Sequence, residues 1–169
     1  MARCLIVGCG CRGQALTREL RARGHAVRGT TRTEAGRAAI EAAGGEAFVG
    51  DPDRIGTLAP ALAHVGVACV LLGSATGESG ELAALHSTRL DMLLERMLDT
   101  TVRAVVYEAA GTVDPALLAV GAERVRYWCR RSLIPYVLLK HNPSGHATWT
   151  AAAVEAVERG LMADARPGS

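Results

Sequence analysis

The chain is poor in aromatic residues and nearly devoid of lysine. Aromatics make up 4% of its 169 residues, with a single phenylalanine, so the core must be aliphatic and alanine-rich. Lys140 is the only lysine, and every other basic residue apart from histidine is an arginine. That bias reads as genomic composition, so the arginines are not taken wholesale as phosphate ligands. No excess of one charge exists: the formal net charge is +2, which argues against a dedicated nucleic-acid surface. No apolar run reaches membrane-spanning length, and Leu5–Val7 is too short for a signal-peptide core. A soluble, cytoplasmic protein without a membrane partner is expected. The five cysteines, an odd number, fit reduced thiols better than a disulfide framework.

What is present is enough apolar sequence, 49%, for one sizeable core, and a length that suits one domain over residues 1–169. Short apolar runs occur at Arg3–Val7, Ala26–Thr30, Glu46–Val49, Val67–Leu72, Arg103–Tyr107 and Pro135–Lys140. Continuous runs of this kind suit parallel strands covered on both faces. Between them the spacing predicts six helices. Leu16 and Leu20 share a face in the first. Thr33 and Thr57 are placed as caps of the next two. Leu82 to Leu98 reads as one long helix ending near Asp99, and Pro115–Arg131 as another. Ser144 is placed as the cap of a last one carrying Trp149. Strict alternation predicts an α/β fold, a doubly wound parallel sheet of about six strands in three αβα layers. The terminal DARPGS is expected to fray.

The first strand runs into Gly8-Cys9-Gly10-Cys11-Arg12-Gly13, a G-x-G-x-x-G pattern between a strand and a helix. Gly8 permits a tight turn, Gly10 lets a pyrophosphate approach the backbone, and Gly13 lets the helix pack on the sheet. The helix start then offers free N–H groups to phosphates. Two other chemistries fit this stretch less well. A methyltransferase would want an acid two positions before the first glycine, where Ile6 stands, and another at the second strand's end. A metal or thiol site lacks a completing cluster beyond Cys9 and Cys11; Cys4, Cys69 and Cys129 read as core.

The second strand ends Thr30-Thr31-Arg32 with no acid to take the ribose hydroxyls of NAD. An arginine there suits the 2′-phosphate of NADP, so the expected cofactor is NADP rather than NAD. Thr30 and Thr31 offer hydroxyls and Arg12 further charge. Asp51, after the third strand, can accept from the adenine amino group, and Gly73-Ser74 would let the adenosine half lie against the backbone.

The order of GCGCRG, VRGTTR, the Gly-Asp after the third strand, RAVVYEAAG and RVRYWCRRSLIPYVLLKHNP resembles the atypical short-chain dehydrogenase/reductase family, including its NmrA-like NAD(P)-binding members. The resemblance covers nearly the whole chain. It implies a Rossmann fold, bound NADP and reduction or epimerisation of a small molecule. The sequence departs from the family at the reacting groups. Reductases of this kind use a tyrosine and a lysine one helical turn apart, and no Tyr-x-x-x-Lys exists here. Tyr127 and Arg131 have that spacing but fall late in their helix. Glu108 and Ala109 stand where the family's serine is usual, and Lys140-His141-Asn142-Pro143 replaces its closing arginine-proline. Glu108, Lys140 and His141 are the candidate catalytic residues, since all three fall at strand ends where ligands bind in this architecture. A histidine also exchanges protons near neutrality.

The expected partners are a dinucleotide cofactor and a small-molecule substrate; the cleft should be shallow, so either a partner subunit closes it, as in a homodimer, or there is little substrate to hold. The competing reading is a non-catalytic NADP-binding redox sensor or regulator. An S-adenosylmethionine-dependent methyltransferase ranks behind both.

Overall fold

The computed structural model describes residues 3–164; residues 165–169, most of the segment expected to fray, lie outside the described residues. Six strands form one sheet: β1 (Arg3–Val7), β2 (Ala26–Thr31), β3 (Glu46–Val49), β4 (Val67–Val70), β5 (Ala104–Glu108) and β6 (Tyr136–Leu139). All pairings are parallel and the spatial order is β3-β2-β1-β4-β5-β6. This is a doubly wound order, in which the winding reverses between β1 and β4 and opens a crevice at the carboxyl ends of those strands.

Both faces of the sheet are covered. On one face Cys4, Ile6 and Cys69 of the strands pack with Leu16 and Leu20 of α1 (Cys11–Ala22) and Ile40 of α2 (Arg37–Ala42). Trp149 and Ala153 of α7 (His146–Asp164) complete that layer. On the other, Leu5, Val7 and Tyr107 pack with α3 (Ile55–Leu58), α4 (Ser79–Leu85), α5 (Thr88–Met97) and α6 (Pro115–Arg131). Burial on both faces is why β4 and β5 read as uninterrupted apolar sequence. Among the described residues no helix is long and apolar enough to cross a membrane.

Three local expectations are corrected. The long helix expected from Leu82 to Leu98 is two, α4 and α5, interrupted at His86-Ser87. The residue at the break is tied into the core. His86 is buried, with Nδ1 2.7 Å from the Tyr107 hydroxyl and Nε2 3.0 Å from the Leu72 carbonyl. A carbonyl only accepts, so Nε2 carries the proton and Nδ1 accepts from Tyr107. Thr57 is not a cap: it lies inside α3, whose N-cap is Arg54, and its hydroxyl donates to the Arg54 carbonyl at 2.7 Å. Thr33 precedes a 3-10 turn, Glu34–Gly36, and makes no side-chain capping bond. Asp114 is the side-chain cap of α6, accepting from Ala116 N at 2.9 Å.

Candidate functional site

The carboxyl end of β1 turns sharply at Gly8, whose φ of 82° lies in the left-handed region. A Cβ there would meet the Leu71 carbonyl oxygen and the Leu72 side chain at 2.7 Å. The turn is held from β2: Gly8 N donates to the Thr30 hydroxyl at 3.1 Å and Cys9 N to the Thr30 carbonyl at 3.0 Å. Gly10 is different, because a Cβ on it would meet nothing within 4 Å. Its glycine is not needed to fold the chain, and it leaves the backbone open to whatever occupies the crevice. Gly13 sits against Cys9 Sγ and Ile6, both 3.2 Å from where its Cβ would stand, which brings α1 down on the sheet.

The first bond of α1 runs from Gln14 N to the Gly10 carbonyl at 2.8 Å. The N–H groups of Cys11, Arg12 and Gly13 therefore have no helical acceptor, and no acid in the first turn offsets the dipole. These groups face a cleft of about 290 Å³ bounded by the three glycines and by Arg12, Leu72 and Ser74.

Two charged groupings flank this centre. On the β2 side Arg32 is half exposed, with Nε 3.6 Å from Asp51 Oδ1 and Nη2 3.5 Å from Asp53 Oδ2. Asp51 Oδ1 also accepts from Asp53 N at 2.9 Å, which fixes the turn presenting both acids. On the β5 side Arg12 Nη2 lies 3.1 Å from each carboxylate oxygen of Glu108. Glu108 has no exposed surface, and its Oε1 takes a further bond from Gly73 N at 2.8 Å. Burial pushes the Glu108 carboxyl above its ordinary range; the Arg12 guanidinium and the Gly73 N–H pull the other way. The guanidinium stacks over the buried Trp149 ring, 5.4 Å from its centroid. Arg12 Nε is buried with no acceptor among the described residues.

The candidate residues thus have these places. Gly8, Gly10, Cys11, Arg12, Gly13 and Ser74 border the cleft. Cys9 turns inward, its sulfur against Gly13 and Gly29, and burial pushes its thiol up to about 11. Thr30 is buried with its hydroxyl committed to the glycine turn, and Thr31 bonds to the backbone of Thr33. Gly73 gives its N–H to Glu108 and accepts from Val113 N, while the Ser74 hydroxyl accepts from Thr112 N. Lys140 and His141 are exposed beyond β6 and border a separate recess of about 140 Å³ against α7, with Ala152 and Arg159. No hydrogen bond or ion pair joins them to Glu108 among the described residues. Tyr127 is exposed under Arg131, at the end of α6 that feeds β6, far from the cleft.

Sequence reasoning did not find the Arg12–Glu108 pair, the Asp53 contact or the His86–Tyr107 bond. The pairs separated by 96 and 21 residues carry no spacing signal; only Asp53, in the same turn as Asp51, was within reach of a local reading.

No family model matches the chain, and no curated protein sequence does. Solved structures do. The triphenylmethane reductase of Citrobacter sp., solved with NADP(H), has a TM-score of 0.64 at 19% identity, covering 82% of this chain and 49% of that one. The UDP-glucose 4-epimerase of Thermotoga maritima, solved with UDP-glucose, gives 0.69 at 12%, covering 82% and 54%. Vestitone reductase from alfalfa gives 0.63 at 14%, covering 82% and 56%. At these identities the likeness is one of fold, and the chain spans about half the length of these structures.

Proposed function

We propose that the chain binds NADP at the glycine turn and serves as the cofactor-holding part of an oxidoreductase acting on a small molecule. The carrying observation is the turn itself. Gly10 is open where a side chain would fit, beside three helix N–H groups without helical acceptors. That combination fits a diphosphate. Cys11, Arg12 and Gly13 N–H groups would hold the diphosphate, Arg32 the 2′-phosphate, Asp51 the adenine amino group and Ser74 the backbone-facing ribose. The similarity to a reductase solved with NADP(H) supports the same reading. When bound, the reduced cofactor would supply a hydride; the chain's own part is to hold and orient it. Of the three candidate reacting groups, His141 and Lys140 face solvent and Glu108 does not. Lys140 and His141, however, border the separate recess against α7, so no proton step at the cleft is assigned to them, and Glu108 acts there only through Arg12.

One specific feature favours the second reading, a cofactor-responsive regulator without turnover. The two hydrogen-bonding groups at the end of β5, Tyr107 and Glu108, are both locked in internal bonds. The deciding experiment is a thermal-shift and calorimetric panel of NADP(H), NAD(H) and S-adenosylmethionine, followed by NADPH absorbance against carbonyl substrates. A ligand that binds only the folded state raises Tm. A shift with S-adenosylmethionine alone, or with nothing, overturns the proposal. Tight NADP binding without turnover selects the regulator.

A further inference from the structure

The two flanking charges are not equivalent. The strands run in the order β2, β1, β4, β5 across the crevice. A dinucleotide with its adenosine end at Arg32 over β2 and its diphosphate on α1 must therefore carry its other half toward β4 and β5. That is the side to which the Arg12 side chain reaches. We propose that the Arg12–Glu108 pair makes this site discriminate the redox state of its cofactor, holding NADPH more tightly than NADP+.

The inference rests on the NADP reading above and on the orientation of one ion pair. Arg12 borders the cleft and keeps 24% of its side chain exposed, whereas Glu108 is fully buried behind it. The pair is neutral as a whole but presents its positive end to the ligand. Its orientation is fixed at three points: the two Glu108 oxygens at 3.1 Å, the Gly73 N–H on Oε1 at 2.8 Å, and the Trp149 ring beneath the guanidinium. A guanidinium stays charged at every working pH. The nicotinamide ring is a cation in the oxidised cofactor and neutral in the reduced one, while the phosphates are the same in both. Only the ring charge then differs between the two ligands, and a facing guanidinium disfavours it. Two like charges about 6 Å apart at a surface of intermediate polarity cost on the order of a 3- to 10-fold change in affinity. Glu108 offsets part of this from behind.

The test is the ratio Kd(NADP+)/Kd(NADPH), measured by calorimetry on the full chain. A merely structural defect changes both constants and leaves the ratio alone. The wild-type ratio is expected at about 3 or more relative to an Arg12→Gln/Glu108→Gln double variant, which removes both charges. Arg12→Gln alone removes the facing cation and should bring the ratio down to that of the double variant or below it. Glu108→Gln alone unmasks the guanidinium and should raise it toward about 10. Should either single variant fail to fold, the wild type against the double variant still decides. Equal ratios in the wild type and the double variant, or a ratio that ignores both single substitutions, overturn the proposal while leaving NADP binding intact. Failure of the wild type to bind either form overturns the cofactor reading and this inference with it.

Discussion

Arg32→Ala separates the two dinucleotides by a computable amount. In the folded chain Arg32 is held by Asp51 and Asp53 at 3.6 and 3.5 Å, longer than charge-assisted hydrogen bonds, with its side chain 47% exposed. Exposed pairs of this kind hold on the order of 0.2–1 kcal/mol each. A guanidinium hydrogen-bonded to a phosphate contributes about 1.5–3 kcal/mol. Sharing the guanidinium between phosphate and carboxylates leaves a net of about 1–2 kcal/mol, so the loss in NADP affinity should be about 5- to 30-fold. NAD has no 2′-phosphate and should change less than about 2-fold by the same reasoning. Calorimetric Kd values for both nucleotides, at about 50 mM and about 200 mM salt, measure this, and the NADP-specific part should shrink at the higher salt. Asp53→Asn removes a competing carboxylate and should tighten NADP by about 2- to 5-fold, but only while Arg32 is present. Equal losses for NAD and NADP in Arg32→Ala would refute the assignment of the 2′-phosphate to this residue.

Gly10→Ala should leave Tm nearly unchanged, because its Cβ meets nothing, yet weaken dinucleotide binding by about 10-fold or more by standing in the diphosphate approach. Gly8→Ala should instead destabilise the fold by about 2–4 kcal/mol in urea unfolding, from the left-handed φ and the contact with the Leu71 carbonyl. Tyr107→Phe strands the buried His86 Nδ1 without its donor and should cost about 1–3 kcal/mol in the same assay. Burial lowers the His86 pKa, so the folded chain keeps it neutral where the unfolded chain takes a proton at about 6.5. Its contribution is complete above that pH and is lost as pH falls toward the folded value. Urea midpoints across this range should therefore fall on acidification, and less so in His86→Gln. The raised Glu108 pKa acts in the opposite sense on acidification, and the comparison of these two proteins cancels it.

The sheet was legible because strands buried on both faces leave uninterrupted apolar runs, and all six were placed within a few residues of their observed ends. The glycine turn was legible for a related reason: Gly8 and Gly13 each answer a local demand of the backbone, and Gly10 completes a local spacing. The break between α4 and α5 was not, since Leu82, Leu85, Leu93 and Leu94 keep a helical period across it. At the break His86 bonds to a tyrosine on a distant strand, a contact no local spacing announces. The environment of Glu108 was hidden in the same way. A strand-end glutamate and a first-turn arginine are each unremarkable until the fold sets them side by side. Arg32 is readable as a candidate from its place after β2, whereas Asp53, two residues beyond Asp51 in the same turn, is tied to that arginine only by the distance the fold sets between them.

The inward turn of Cys9 has a practical corollary. Its sulfur is wedged between α1 and β2, and Cys4, Cys69 and Cys129 are equally enclosed, which leaves Cys11 as the one solvent-facing thiol. A maleimide dye therefore finds a single address on the native chain, at the mouth of the crevice beside the glycine turn, and its emission becomes a gauge of whether that crevice is filled.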